Sequence, residues 1–130
     1  MEIIITIVLI GIIATFAIPN YTKAIKKGIE RDAIIQLSTI HAASEIYKTN
    51  SGKYFIGNCI GHTLINQNLK TNIIASNGLA YKYNSSTGDN FTAWAMLGGS
   101  FSVKISNGPL TSNNPCCSIG PSCPSLPNCP

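Results

Sequence analysis

Five cysteines are the residues with the most chemistry to offer: Cys59 stands alone, and Cys116, Cys117, Cys123 and Cys129 crowd the C-terminal tail. Such thiols suit either disulfides in an oxidising compartment or soft ligation of zinc. For zinc the chain offers Cys59-x-x-His62, which is half of a metal motif. Disulfides are the expected use, because the other features point outside the cell, and no metal is expected. Cys116 and Cys117 are adjacent and are not expected to pair with each other, since that would strain the backbone. The spacing leaves the connectivity open. One bridge is expected from Cys59 to Cys116 or Cys117, pinning the tail to the loop after the first helix. A second would close the tail through Cys123 and Cys129 or through the vicinal pair.

The other reactive residue types are sparse. There is no phosphate-binding loop, dinucleotide fingerprint or HExxH. Glu30, Asp32, Glu45 and Asp89 are far apart and read as exposed. His41 reads as a surface or packing histidine. Trp94, Tyr81 and Tyr83 read as sheet packing rather than a ligand platform. No catalytic residue, enzyme activity or cofactor is expected. Nucleic acid is not an expected partner: the net charge is +4, and the nine basic residues are scattered from Lys23 to Lys104. Asn84 and Asn90, like Asn20, open N-x-S/T sequons and are glycosylation candidates.

What must position these groups begins with a charge-free stretch. Charged residues are only 11% of the chain, against roughly 25% for a typical soluble protein. Between Glu2 and Lys23 lie 20 residues without any charge. As a helix they span about 30 Å, the thickness of a bilayer's hydrocarbon core. The run is apolar on all sides and has no face for water. A cleaved signal peptide would need a basic start, and the only early charge is Glu2. For a plain anchor, the positive-inside rule would place Lys23, Lys26 and Lys27 on the cytoplasmic side, which conflicts with an oxidised cysteine-rich body. Glu2, at the end of the rod, can stay near the lipid interface. In a dry bundle of rods it must find a partner, which makes it a check on register. Gly11 and Pro19 weaken the helix and predict a kink near Pro19, or a melted stretch between them in an assembled fibre.

From residue 23 to 50 the pattern turns amphipathic. Ile25, Ile29, Ala33, Leu37, Ile40, Ser44 and Tyr47 form one stripe, with Lys23, Lys26, Lys27, Glu30 and Arg31 on other faces. Asn50-Ser51-Gly52 predicts the helix stop. A loop region over 51–78 holds a short helix at Thr63–Leu69. An antiparallel β-meander over 79–105 has strands at Leu79–Tyr83, Phe91–Leu97 and Ser100–Ile105, with Gly98-Gly99 as a hairpin turn. The tail, 106–130, is loop by composition. The expected fold is α+β: a hydrophobic segment at 1–22, and a head at 23–130 in which the amphipathic helix packs on the meander above a disulfide-stapled loop.

Glu2, the Ile/Leu/Val run, Gly11, Ala17-Ile18-Pro19 and Tyr21 together resemble the N-terminal helix of type IV pilins and the related type II secretion pseudopilins. The passage from Tyr47 through Gly52 to Tyr54 is similar as well. The likeness is close over the first third of the chain and only architectural beyond it. It implies a structural subunit of an extracellular helical filament, held in the inner membrane before assembly. The implied partners are identical subunits, a pilus assembly machinery and a prepilin peptidase. The implied subunit contacts are Glu2 with Ile3, Ile4, Ile5, Ile7, Val8, Leu9, Ile10, Ile12, Ile13 and Phe16. Glu2 would pair with the N-terminal amine of a neighbour. In the family the mature chain starts with an N-methylated Phe a few residues further ahead of the acid, so a leader and a few residues are expected to precede Met1. The family often staples its C-terminal loop by a disulfide. Two alternatives stand beside a pilin: a pseudopilin, although the tail has no acid after Asp89 for a calcium loop, and a membrane-anchored extracytoplasmic binding module.

Overall fold

The computed structural model describes residues 2–99, 101–111, 113–119 and 126–129. It is α+β. One helix, α1 (Glu2–Ser51), is followed by β1 (Gly57–Gly61), α2 (His62–Leu69), β2 (Leu79–Ser85), β3 (Thr92–Leu97), β4 (Phe101–Ser106) and β5 (Cys116–Ile119). At 1.5 Å per residue the 50 residues of α1 reach about 75 Å. The helix runs on through Gly11 and Pro19 without a break in its assignment. It stops at Gly52, whose φ of 80° suits glycine and whose N–H donates to Lys48 O at 2.7 Å.

The strands form one antiparallel sheet in the order β1-β2-β3-β4-β5. The three central strands lie where alternation predicts them; Ser100 falls outside the described residues. Two more strands were not expected. β1 lies in the region read as loop, and β5 lies in the tail read as loop by composition. β1 carries two glycines and a bulge at Cys59 (φ 53°), so neither propensity nor alternation marks it. β5 is fixed by pairing with β4 rather than by its own sequence.

The core lies between α1 and the sheet. Ala33, Leu37 and Ile40 of the helix are fully buried, as are Tyr83, Ala93, Ala95, Val103 and Ile105 of the strands. The two β3 alanines leave room for the helix to come close. Phe91 ties the end of the core together, stacked on Tyr83 at 5.5 Å and edge-on to Tyr54 at 4.9 Å. The observed stripe differs from the expected one. Ile29 and Tyr47 are partly buried, Ile25 is exposed, and Glu30 is completely buried. Positions 30, 33, 37, 40 and 44 form their own three- and four-residue series, which puts Glu30 on the packed face despite its charge.

Candidate assembly surface

From Glu2 to Gly28 every residue whose side chain is described is exposed, apart from the partly covered Ala14. Ile3 is 74% exposed, Ile10 67% and Phe16 70%. The same holds for Ile4, Ile5, Ile7, Val8, Leu9, Ile12, Ile13 and Ile18. This is a helix long and apolar enough to cross a membrane, and none of its most apolar window is buried against the rest of the protein. Packing onto the sheet begins only near Ile29, so the free rod outlasts the apolar run and carries Lys23, Lys26 and Lys27 on its inner end.

Inside the apolar run the two threonine hydroxyls are satisfied by the helix's own backbone. Thr6 Oγ1 donates to Ile3 O and Thr15 Oγ1 donates to Gly11 O, each at 2.8 Å. Both hydroxyls can therefore enter a dry environment at little cost. Glu2 is the one ionisable group of the apolar segment, exposed in the first turn of α1. A carboxylate there is favoured by the helix dipole.

The cysteines resolve differently from the expectation. Cys116 bonds to Cys129, across a sequence separation of 13. Cys117 is also disulfide-bonded, and Cys123 lies outside the described residues. Cys59 is free and exposed, so the expected bridge from Cys59 to Cys116 or Cys117 is wrong. The reason is topological. Cys59 sits on β1 at one edge of the sheet and the vicinal pair on β5 at the other. Four strand spacings of about 4.8 Å put them roughly 19 Å apart, while a disulfide needs Cα atoms within about 7 Å. The bridge staples the tail to itself: Cys117 N–H donates to Pro127 O at 2.7 Å, and Cys129 N–H to Cys117 O at 2.8 Å.

Among the described residues no three His, Cys, Asp or Glu side chains gather as a metal site. His41, Glu45, Lys48 and Tyr54 line an open cleft of about 450 Å³ beside Gly108 and Pro109. Its groups hold one another. His41 Nε2 lies 2.9 Å from Gly108 O, and Tyr54 OH donates to Glu45 Oε1 at 2.7 Å. Lys48 Nζ sits 4.5 Å above the Tyr54 ring. Burial, with help from Glu45, pushes the Tyr54 hydroxyl up to about 12, so it keeps its proton, and with it the bond it donates to Glu45, above the pH at which a free tyrosine ionises. Of the sequon residues, Asn90 is exposed in the β2–β3 loop, where its Oδ1 accepts from Asn107 Nδ2 at 2.8 Å. Asn84 lies within β2, with Oδ1 buried and without a hydrogen bond among the described residues. Tyr81 and Tyr83 are core residues, whereas Trp94 stands on the opposite face of the sheet, partly exposed.

Comparison of the chain with models of known protein families, with curated proteins and with solved structures finds no match.

Proposed function

We propose that this chain is a type IV pilin-like structural subunit, kept in a membrane by the rod of α1 and polymerised by moving that rod into the shared core of a filament outside the cell. The observation that carries the reading is the division of α1. Its second half is packed on the sheet, while its first half, more apolar and continuous with it, packs on none of the described residues. An apolar face this large is an interface for lipid or for other copies of the rod.

A filament uses every feature of the segment. Fully burying its eleven large apolar side chains from Ile3 to Ile18, at about 1.5–3 kcal/mol each, supplies tens of kcal/mol before ordering and association costs are subtracted. One subunit's rod meets a different part of the next, and repeating that contact by a screw operation gives an open fibre. Glu2 is the only group of the segment that such a core penalises, and it is neutralised only where a neighbour supplies a donor. A pseudopilin would use the same rod in a shorter fibre.

The test is microscopy of sheared fibres with mass spectrometry of their subunits, for the natural chain and for Glu2→Ala. The expected outcome is fibres made of this chain, with Glu2→Ala strongly reduced in fibres but folded in membranes. Recovery of the chain from membranes and never from fibres would defeat the reading in favour of an anchored module. A normal fibre yield from Glu2→Ala would remove the register check.

A further inference from the structure

We propose that the sheet face turned away from α1 binds single-stranded nucleic acid, through Trp94 set between Lys82 and Lys104. In the antiparallel register Lys82 is the partner of Trp94 across β2 and β3, and Trp94 is the partner of Lys104 across β3 and β4. Their chain neighbours Tyr81, Tyr83, Ala93, Ala95, Val103 and Ile105 are at most 1% exposed beneath α1. Strand alternation therefore sends all three side chains to the other face, in one row. At about 4.8 Å per strand, the two lysines stand on strands about 10 Å apart with the indole midway.

The charge on this face has one sign. Four of the five acids, Glu2, Glu30, Asp32 and Glu45, lie on α1, and Asp89 lies in the β2–β3 loop, where it approaches Lys53. Neither Lys82 nor Lys104 is in a salt bridge among the described residues. The chain's one tryptophan is thus left partly exposed between two cations, while the core is filled by tyrosine and phenylalanine. Cations beside an aromatic platform are the two parts of sequence-tolerant recognition of single strands: ammonium groups hold phosphates and a base stacks on the ring. A duplex keeps its bases stacked and offers none to a flat face. An acidic peptide would use the charge and leave the ring idle. The scattered basic residues gave no such patch in sequence order; the register brings Lys82 and Lys104 together from positions 22 residues apart.

The inference does not depend on the filament. If fibres form, the row lies on the side of each head away from the helix, and its repetition multiplies a weak single site.

The test is a titration of the full chain in uncharged detergent micelles with oligothymidylate. Trp94 is its own reporter, because no other tryptophan contributes fluorescence. Saturable quenching is expected, weakening with salt with a log–log slope of about −1.4 for two phosphate contacts, and each of Lys82→Gln and Lys104→Gln is expected to reduce that slope by about 0.7. Trp94→Ala, followed with a labelled oligonucleotide, should weaken binding by roughly 5- to 150-fold. Because that variant removes a partly buried side chain, the double variant Lys82→Gln/Lys104→Gln provides the independent check. The proposal is overturned if oligothymidylate causes no quenching, if the double variant binds undiminished, or if polygalacturonate binds where oligothymidylate does not. The titration uses solubilised monomer, so its failure leaves the filament reading standing, and failure to find fibres leaves this one standing.

Discussion

The two halves of α1 are one unbroken helix with opposite relations to the rest of the chain. From Ile29 onward, every third or fourth side chain is covered by the sheet; before it, Ile, Leu, Val and Phe stand in the open. Helix propensity does not explain the contrast, since both halves are helical. What differs is where each half finds its second layer. The head half finds it in this chain, and its burial contributes to folding. The rod half has none among the described residues, so its exposed apolar surface adds nothing to the folding of the head. Stability of the head and retention of the rod should therefore be separable by mutation.

The largest effect expected is on the rod. Ile10→Asp puts a charge at the middle of the apolar segment, where insertion scales assign an aspartate about 2.5–3.5 kcal/mol. On the proposed reading, membrane retention and fibre yield both collapse, while the thermal melt of the head, followed by near-ultraviolet circular dichroism, stays where it was. Leu37→Ala is the mirror experiment: it empties a fully buried site and should destabilise the head by about 2–5 kcal/mol, leaving the chain in the membrane. If Ile10→Asp lowered the head's melting point as far as Leu37→Ala does, the two halves would be one cooperative unit and the contrast would fail.

Next in size is the tail. Reductant opens the bridge from Cys116 to Cys129, which closes a sequence separation of 13, together with the disulfide of Cys117; closure of the first loop alone contributes about 3 kcal/mol through the unfolded chain. The head's melting temperature should fall under reductant, with membrane retention unchanged. The free Cys59 gives an internal control: Cys59→Ser should leave the melt of the oxidised protein where it was, because that thiol is exposed and bridges nothing. A melt indifferent to reductant would mean that the strand pairing of β5 and the packing of Leu126 hold the tail without its disulfides.

The same division explains what could be read in advance. The rod, the helix stop at Gly52, α2 and the three central strands follow from patterns local to each segment. The edge strands do not: β1 and β5 exist because β2 and β4 offer them a ladder. Glu30 was misplaced because its charge was given more weight than its position in the 30, 33, 37 series. The expected bridge to Cys59 failed because spacing along the chain says nothing about which edge of a sheet a strand occupies. The Lys82–Trp94–Lys104 row was illegible for the same reason, since cross-strand partners are set by register. On the rod the charge-free apolar run was enough to foresee the exposure that is seen.

The gentlest probe of the contrast is alkali, which acts on the head and spares the apolar segment. Burial pushes Tyr83 up to about 12 and Tyr54, also held by Glu45, up to about 12; burial raises Tyr81 as well, with Asp32 adding to it. In the unfolded chain these hydroxyls ionise near 10. Because their folded values are raised, the folded state keeps protons that the unfolded state has already released. The stability tied to them is fully present below pH 10 and is lost as pH climbs toward 12. The head should therefore show no change from these groups between pH 7 and 9, then unfold progressively, with a delayed rise in tyrosinate absorbance that tracks the loss of near-ultraviolet signal. Helicity of the rod in micelles should persist through that range, since none of the three tyrosines touches it. If rod and head lost structure together as the tyrosines ionised, α1 would be acting as a single element and its two halves would not be independent after all.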